Sequence, residues 1–456
     1  MNYTAMYSAI IKVLNDSGEN IFLINDSMIS HIELWGAMYE NRAPWLSKNV
    51  ESANLSSAIS FEHSKLVTLE LKSEIKGSAM ADFLNKIYKE SVFPVLRKYT
   101  EYGLAKGSLV IKPVPVPGGI RTQFIQAGRF FPVSFDGSGK LSKCVFTEQI
   151  RKGKYIYTLL EIHTLSGVNT FTIENRVFKS TNDGMLGSET DLSEVAEWAE
   201  IYPSATMSGI SHLPFGLFSC PMANQIDCDS PLGVSVFSRA VEHIREADRR
   251  YGSINWEYES TEVAVHIAQS LLKFNKEQGK YEAPQGRERL YRPFEYNTGA
   301  TEKPLLDVFS PQIRSKELYE GWNNQLRLIE FDCSLAYGTL SDPQNVDKTA
   351  AEVIASKQRA YTFISETQTA LQNALSDWCE AAYFWARIYN LAPDGKYEMS
   401  FQWGDSILAD PNAERENDRK DLANGTLRPE EYRAKYRDET IEEALKNLPE
   451  AADVIE

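Results

Sequence analysis

A run of apolar residues from about Lys348 to Asn390 limits the fold more than anything else in the chain. Ile354, Tyr361, Ile364, Leu371, Leu375, Trp378, Ala382 and Trp385 recur at spacings of threes, fours and sevens, the period of one α-helical face. The spacing predicts a single helix over the stretch, capped by Asp347, and too long for an ordinary small domain. Two other long helices precede it. Ser230 and Pro231 suit an N-cap and first turn. Phe237, Val241, Ile244, Tyr251, Ile254 and Tyr258 then hold one face for about 28 residues, or roughly 40 Å of helix. Pro311 opens the second, which carries Ile313, Leu318, Trp322, Leu326 and Ile329. Their stripes are narrow, as in helices packed on like neighbours. The two bracket a compact insert, residues 259–310. The string GTLSDPQNVD (338–347) then reads as a loop on its Gly, Pro, Asn and Asp.

The rest of the pattern is mixed, so the fold class expected is α+β. Residues 1 to about 105 read as helical. One stripe is Tyr3, Met6, Ile10, Val13 and Leu14; another is Ile32, Trp35 and Tyr39; a third, with Phe83, Ile87 and Leu96, bends at Pro94. From Leu109 to Lys179 the period becomes two. The segments TQFIQ, RFFPVSF, KCVFTEQI, KYIYTLLEIHT and NTFTIENRVF are broken by Asp136-Gly137, Lys152-Gly153 and Ser166-Gly167, which predicts an antiparallel meander. The prolines at 113, 115 and 117 exclude a central strand there. Residues 180–229 read as loops, 397–403 as a strand, and the tail as short charged helices.

Composition narrows the function. The chain has 456 residues, with 63 acidic against 48 basic side chains and a net charge of −15. A protein that grips DNA shows the opposite balance. Five scattered cysteines without a CxxC pair read as free thiols in a reducing cytosol. The first residues lack a signal peptide's basic region, and no apolar run reaches a membrane span's length; a soluble protein without a membrane partner is expected. Ser138-Gly139-Lys140 lacks the remaining residues of a phosphate loop and reads as a hairpin turn. His163 near Glu161 could be imagined as a base, but a satisfied structural histidine explains it more simply. No catalytic residue, metal site or cofactor is expected.

Asp248 stands within an apolar stripe, where it is read either as an edge residue facing water or as half of an inter-helix or inter-subunit pair. Basic residues gather in the middle third, with Arg245, Arg249, Arg287, Arg289, Lys316 and Arg327 among them. Solvated helix faces with acidic neighbours account for these on counting alone.

Several strings, in this order, resemble the portal protein (head-to-tail connector) of tailed bacteriophages, in the type found in long-tailed phages of Gram-positive hosts. They are Ile32-x-x-Trp35-x-x-x-Tyr39, RFFPVSFDGSGKLSKCVFTEQ with KYIYTLLEIH, Pro221-Met-Ala-Asn224, and Ser230-Pro-Leu-Gly-Val-Ser-Val-Phe237. Phe309-Ser-Pro-Gln-Ile-Arg314 follows, then Ile329-Glu330, Tyr337-Gly-Thr-Leu-Ser341, Asp347-Lys-Thr-Ala-Ala-Glu352, and Asn424-Gly-Thr-Leu-Arg-Pro-Glu-Glu-Tyr432. Ala336-Tyr337 stands where the family often has Leu-Ser.

The resemblance implies a portal fold. Residues 1–229 would be the wing, 230–258 the first stem helix, 259–310 a small α/β clip and 311–337 the second stem helix. Residues 338–347 would be the tunnel loop, 348–403 the long helix and strand returning to the wing, and 404–456 an acidic crown. It further implies a homo-oligomeric ring of twelve copies, made in the host cytoplasm and built into the virion. Double-stranded DNA would slide past Thr339, Ser341, Asp342, Gln344 and Asn345. The basic residues named above are candidates to face the channel from the stem and clip. The implied protein partners are the large terminase subunit, a head-completion adaptor, and the major capsid and scaffolding proteins. Two other classes stay open on the residues alone: a metal-dependent nucleic-acid enzyme with a dispersed site, and a scaffold-associated structural protein.

Overall fold

Three helices begin the chain: α1 (Tyr3–Asp16), α2 (Asp26–Tyr39) and α3 (Leu55–Thr68). Met6, Ile10, Ile32 and Trp35 are buried, so the stripes on α1 and α2 are those legible in the sequence. The structure, a computed structural model, describes residues 3–16, 24–137, 139–165, 169–182, 184–276, 280–282, 290–294, 306–342, 350–404, 411–437 and 439–448. Strand β1 (Lys72–Gly77) interrupts the helices and was not expected. After it come α4 (Ala79–Ile87) and α5 (Leu96–Lys106). Between these two, a π turn (Tyr88–Val92) and a tight turn through Pro94 make the predicted bend, because proline has no N–H to donate to a regular helix.

The period-two region splits in two. Strands β2 (Ser108–Val116) and β3 (Gly119–Gln126) form one hairpin. The chain then turns through Ala127–Arg129 into a separate meander: β4 (Phe130–Phe135), β5 (Leu141–Lys152), β6 (Tyr155–Leu165) and β7 (Thr170–Ser180). TQFIQ therefore does not belong to the meander. The stretch 180–229, read as loops, carries three short strands: β8 (Ser188–Thr190), β9 (Ser204–Ser208) and β10 (Gly216–Ser219). Both β8 and β9 pair with β7, while β10 pairs with β2. That makes β2 the middle of a sheet ordered β10-β2-β3. Its prolines are still tolerated, since β10 covers only Ser108–Ile111 and has ended before Pro113.

The first long helix starts later than its cap signals suggest. The Ser230 hydroxyl accepts from the Leu232 amide, 3.4 Å away, but 231–237 runs irregularly through the core. Val234, Ser235, Val236 and Phe237 are all fully buried, and the Val236 amide donates to the Leu104 carbonyl at 2.9 Å. Gly233 meets Gly107 backbone to backbone, and Gly107 holds a φ of +86°, a conformation suited to glycine. Burial on every side leaves no solvent face for an amphipathic helix. Only at α6 (Val241–Ser260) does the regular helix begin.

The insert contains β11 (Ala264–Ala268), β12 (Lys273–Asn275), β13 (Lys280–Glu282), β14 (Tyr291–Phe294) and β15 (Leu306–Phe309). β11 lies between a parallel β14 and an antiparallel β15. Helix α7 (Ser315–Asp332) starts four residues after Pro311. The long apolar run is α8 (Ala350–Ile388), 39 residues in one helix; its expected cap, Asp347, lies outside the described residues. β16 (Tyr397–Gln402) returns to pair antiparallel with β1. The tail is α9 (Pro411–Ala423), α10 (Pro429–Arg437) and α11 (Ile441–Lys446).

The fold is α+β. Its largest core runs from α1 and α2 across β2 and β10 to the second half of α8, where Leu371, Leu375 and Trp378 are fully buried. The Trp378 indole donates to the Thr122 hydroxyl at 3.2 Å. Among the described residues, no helix is long and apolar enough to cross a membrane.

Candidate functional site

Helices α6 and α7 form an antiparallel hairpin with the small sheet of β11, β14 and β15 at its tip. Gln325 Nε2 donates to His243 Nδ1 at 2.8 Å, and Arg250 Nη1 to the Gly321 carbonyl at 2.6 Å. The rings of Tyr251 and Trp322 lie 5.9 Å apart. At the tip Arg314 forks onto Glu257, with Nη2–Oε2 at 2.7 Å and Nε–Oε1 at 3.0 Å. Those hydrogen bonds hold the Glu257 carboxyl below its ordinary range. Partner numbers rise on α6 as they fall on α7, which fixes the pairing register.

One face of α6 is tied to the segment before α3. Asp248 is buried, and it neither faces water nor pairs between helices. Its Oδ2 accepts from the Trp45 indole at 2.9 Å and its Oδ1 from the Ala53 amide at 2.8 Å. Burial pushes its carboxyl up, against those two hydrogen bonds. One turn later, a Cβ on Gly252 would come within 2.7 Å of the Asn49 carbonyl. The irregularity noticed in the stripe is therefore a docking joint within the chain.

The turn at 338–342 is built around a buried carboxylate to which the sequence, where it appears only within the string Ile329-Glu330, assigned no role. Glu330, near the end of α7, is fully buried. Its Oε1 accepts from the main-chain amides of Gly338 (3.1 Å), Leu340 (2.6 Å) and Ser341 (2.8 Å), and its Oε2 from the Ser341 hydroxyl (2.8 Å). Asn323, two turns earlier, accepts the Asp342 amide at 2.7 Å. Successive amides curled onto one anion form a nest. The available signal was an acid followed eight residues later by a Gly-Thr-Leu-Ser turn, but an acid near a helix end reads equally well as a solvent-facing charge.

The candidate loop residues therefore divide. Ser341 is buried and its hydroxyl is spent on Glu330, so it is an anchor and not an open hydrogen-bonding group. Thr339 and Asp342 are exposed, with the Thr339 hydroxyl donating to the Ala336 carbonyl at 2.6 Å. Gln344 and Asn345 lie outside the described residues. Of the candidate basic residues, Arg245 pairs with Glu242 and Arg249 with Glu246, each one turn away on α6. Lys316 is exposed and Arg327 half-buried on α7; Arg287 and Arg289 lie outside the described residues.

The hairpin is most unusual in its exposed apolar surface. Of 21 large apolar side chains exposed among the described residues, 13 fall between Trp256 and Phe331, about a sixth of the chain. Trp256, Tyr319, Leu328 and Phe331 stand on the helices, and every residue of β15 is exposed.

His163, the one imaginable base, is buried. Its Nε2 lies 2.6 Å from Glu161 Oε1, and Lys112 Nζ holds both oxygens of that carboxylate at 2.6 and 2.8 Å. Burial lowers the affinity of His163 for a proton, partly offset by Glu161. A locked ion cluster between two sheets accounts for these residues.

No family model matches the chain, and no curated protein matches it. Solved structures do resemble it. One is a chain from the neck of a native gene transfer agent (GTA) particle computed with C12 symmetry: 12% identical, TM-score 0.41, covering 96% of this chain and 98% of that one. Another comes from the virion of a native GTA particle: 13% identical, TM-score 0.40, covering 94% and 98%. Likeness at that level carries no functional conclusion by itself.

Proposed function

We propose that this chain is the subunit of a portal ring, the head-to-tail connector of a tailed phage of the long-tailed, Gram-positive type, through which double-stranded DNA is packaged and ejected. The observation that carries the reading is the helical hairpin with its exposed apolar flanks. An isolated chain leaves that surface in water, whereas identical copies side by side around a ring cover it. The ordered strings from Ile32 to Tyr432 support the same reading.

In this reading residues 1–229 are the wing, α6 and α7 the stem, 259–310 the clip, and 404–456 the crown. Twelve copies at −15 each carry about −180 before screening. DNA must pass such a sleeve without being held, so phosphate contacts should be few and weak. The chain's acidic balance excludes a clamp and suits a channel. Thr339 and Asp342 face the DNA, and Ser341 with Glu330 holds the loop's root. The clip meets the large terminase subunit and later the head-completion adaptor; the wing meets capsid and scaffolding proteins. The chain is a structural conduit and no enzyme.

A complementation experiment tests this. Capsids assembled without a working copy of the gene are expected to form and stay empty of DNA. Capsids that fill normally without it contradict the proposal.

A further inference from the structure

We propose that the outer edge of β3 is a docking strand for an extended acidic segment of a partner protein, added to the β10-β2-β3 sheet as a fourth strand. The first observation is register. Pro113 lies opposite Thr122 and Pro115 opposite Ile120. Proline has no N–H to exchange, so these are the pairs whose backbone groups point away from each other. By alternation the N–H and C=O groups of Ile120, Thr122 and Phe124 point outward from β2. β3 ends the sheet, and among the described residues nothing hydrogen-bonds that side of it.

The second observation is the cleft beside that edge, about 960 Å³ in volume. Six consecutive residues, Arg121–Gln126, line it. A strand shows alternate side chains to a face, so consecutive lining means that the cleft runs along the edge. Its far wall is β5, through Phe146–Gln149. The size lies at the upper end of the range of roughly 300–1,000 Å³ for ligand pockets. The lining is mostly polar, however, which suits a main chain better than an apolar ligand.

The third observation is charge. Around the cleft Glu40 is shared by Arg42 and Lys106, and Glu161 by Lys112 and His163. That leaves Arg121 and Arg129 beside the cleft, with Glu148 as the remaining acid. Among the described residues neither guanidinium makes an ion pair or a hydrogen bond. Two uncommitted arginines beside an unpaired strand edge, in a chain of net charge −15, fit an acidic strand. Main-chain bonds would supply affinity and the arginines selectivity, as in other β-strand additions. A nucleic acid could meet the arginines but could not extend the ladder.

The test uses the full-length protein and a fluorescent eight-residue peptide of alternating Glu and Val, read by anisotropy. Saturable binding is expected, weakened about tenfold by the double variant Arg121→Ala, Arg129→Ala. Replacing Glu by Gln in the peptide should weaken it similarly, and N-methylation of alternate residues should abolish it, since the ladder needs the peptide's N–H groups. No binding, equal binding of the N-methylated peptide, or equal binding of an eight-nucleotide oligothymidine would each overturn the proposal. It does not rest on the ring reading.

Discussion

Replacing Glu330 by alanine should release the root of the 338–347 loop without unfolding the protein. The carboxylate accepts three main-chain amides and one hydroxyl, all within 3.1 Å. Hydrogen bonds to a charged acceptor contribute roughly 1.5–3 kcal/mol each, so a naive sum for four runs from about 6 to 12 kcal/mol. The bonds share one acceptor and are not additive, and a released loop lets water reach the orphaned amides. A local cost of about 3 kcal/mol is therefore expected. At 1.4 kcal/mol per factor of ten, opening of this segment becomes roughly a hundredfold more populated. Hydrogen exchange reads that directly. The amides of Gly338, Leu340 and Ser341 should exchange about a hundredfold faster in Glu330→Ala, and only several-fold faster in Glu330→Gln, whose amide oxygen still accepts. The body of α8 should keep its protection. Unchanged exchange at 338–341 in the alanine variant would refute the reasoning, as would loss of protection throughout the chain.

Asp248→Ala removes the acceptor of both the Trp45 indole and the Ala53 amide; a loss of about 2–4 kcal/mol is expected by chemical denaturation, and an unchanged midpoint would contradict the joint. His63 supplies a pH test. It is fully buried, its Nε2 donates to the Cys333 carbonyl at 2.8 Å, and burial lowers its pKa to about 4. An unfolded histidine titrates near 6.5, so the unfolded chain takes up this proton first. The contribution of His63 is fully present above about pH 6.5 and is lost as pH falls toward 4, amounting to about 3 kcal/mol. His63→Gln should flatten that part of the stability profile, and an unaltered slope would contradict the assignment. Val308→Asp with Leu328→Asp, both on exposed positions, should leave thermal stability of the single chain nearly unchanged and block assembly; sedimentation velocity separates the two effects.

Legibility in the sequence followed the range of the interactions. α8 and the meander could be read because period and turn chemistry are local, and Trp378 and Asp136-Gly137 mark them without outside help. β1 could not, since KSEIKG is a polar string that becomes a strand only by pairing with β16, more than 300 residues away. Ser230-Pro231 imitates a helix start, but the burial of Val234, Val236 and Phe237 on both sides of the chain overrides it. At the candidate site, Asp248 stood out because an acid broke an apolar stripe, although its partners Trp45 and Ala53 were out of reach of any spacing argument. Glu330 stood out only as part of the string Ile329-Glu330, with no role attached. Its meaning depends on three amides that converge only after the chain turns back on α7.

Copies of this chain are expected to close into a ring around a hole. Negative-stain electron microscopy of the purified protein tests it most directly. Closed rings with an open centre, covering the apolar flanks of α6, α7 and β15 between neighbours, are the predicted result. A stable monomer at high protein concentration contradicts the account.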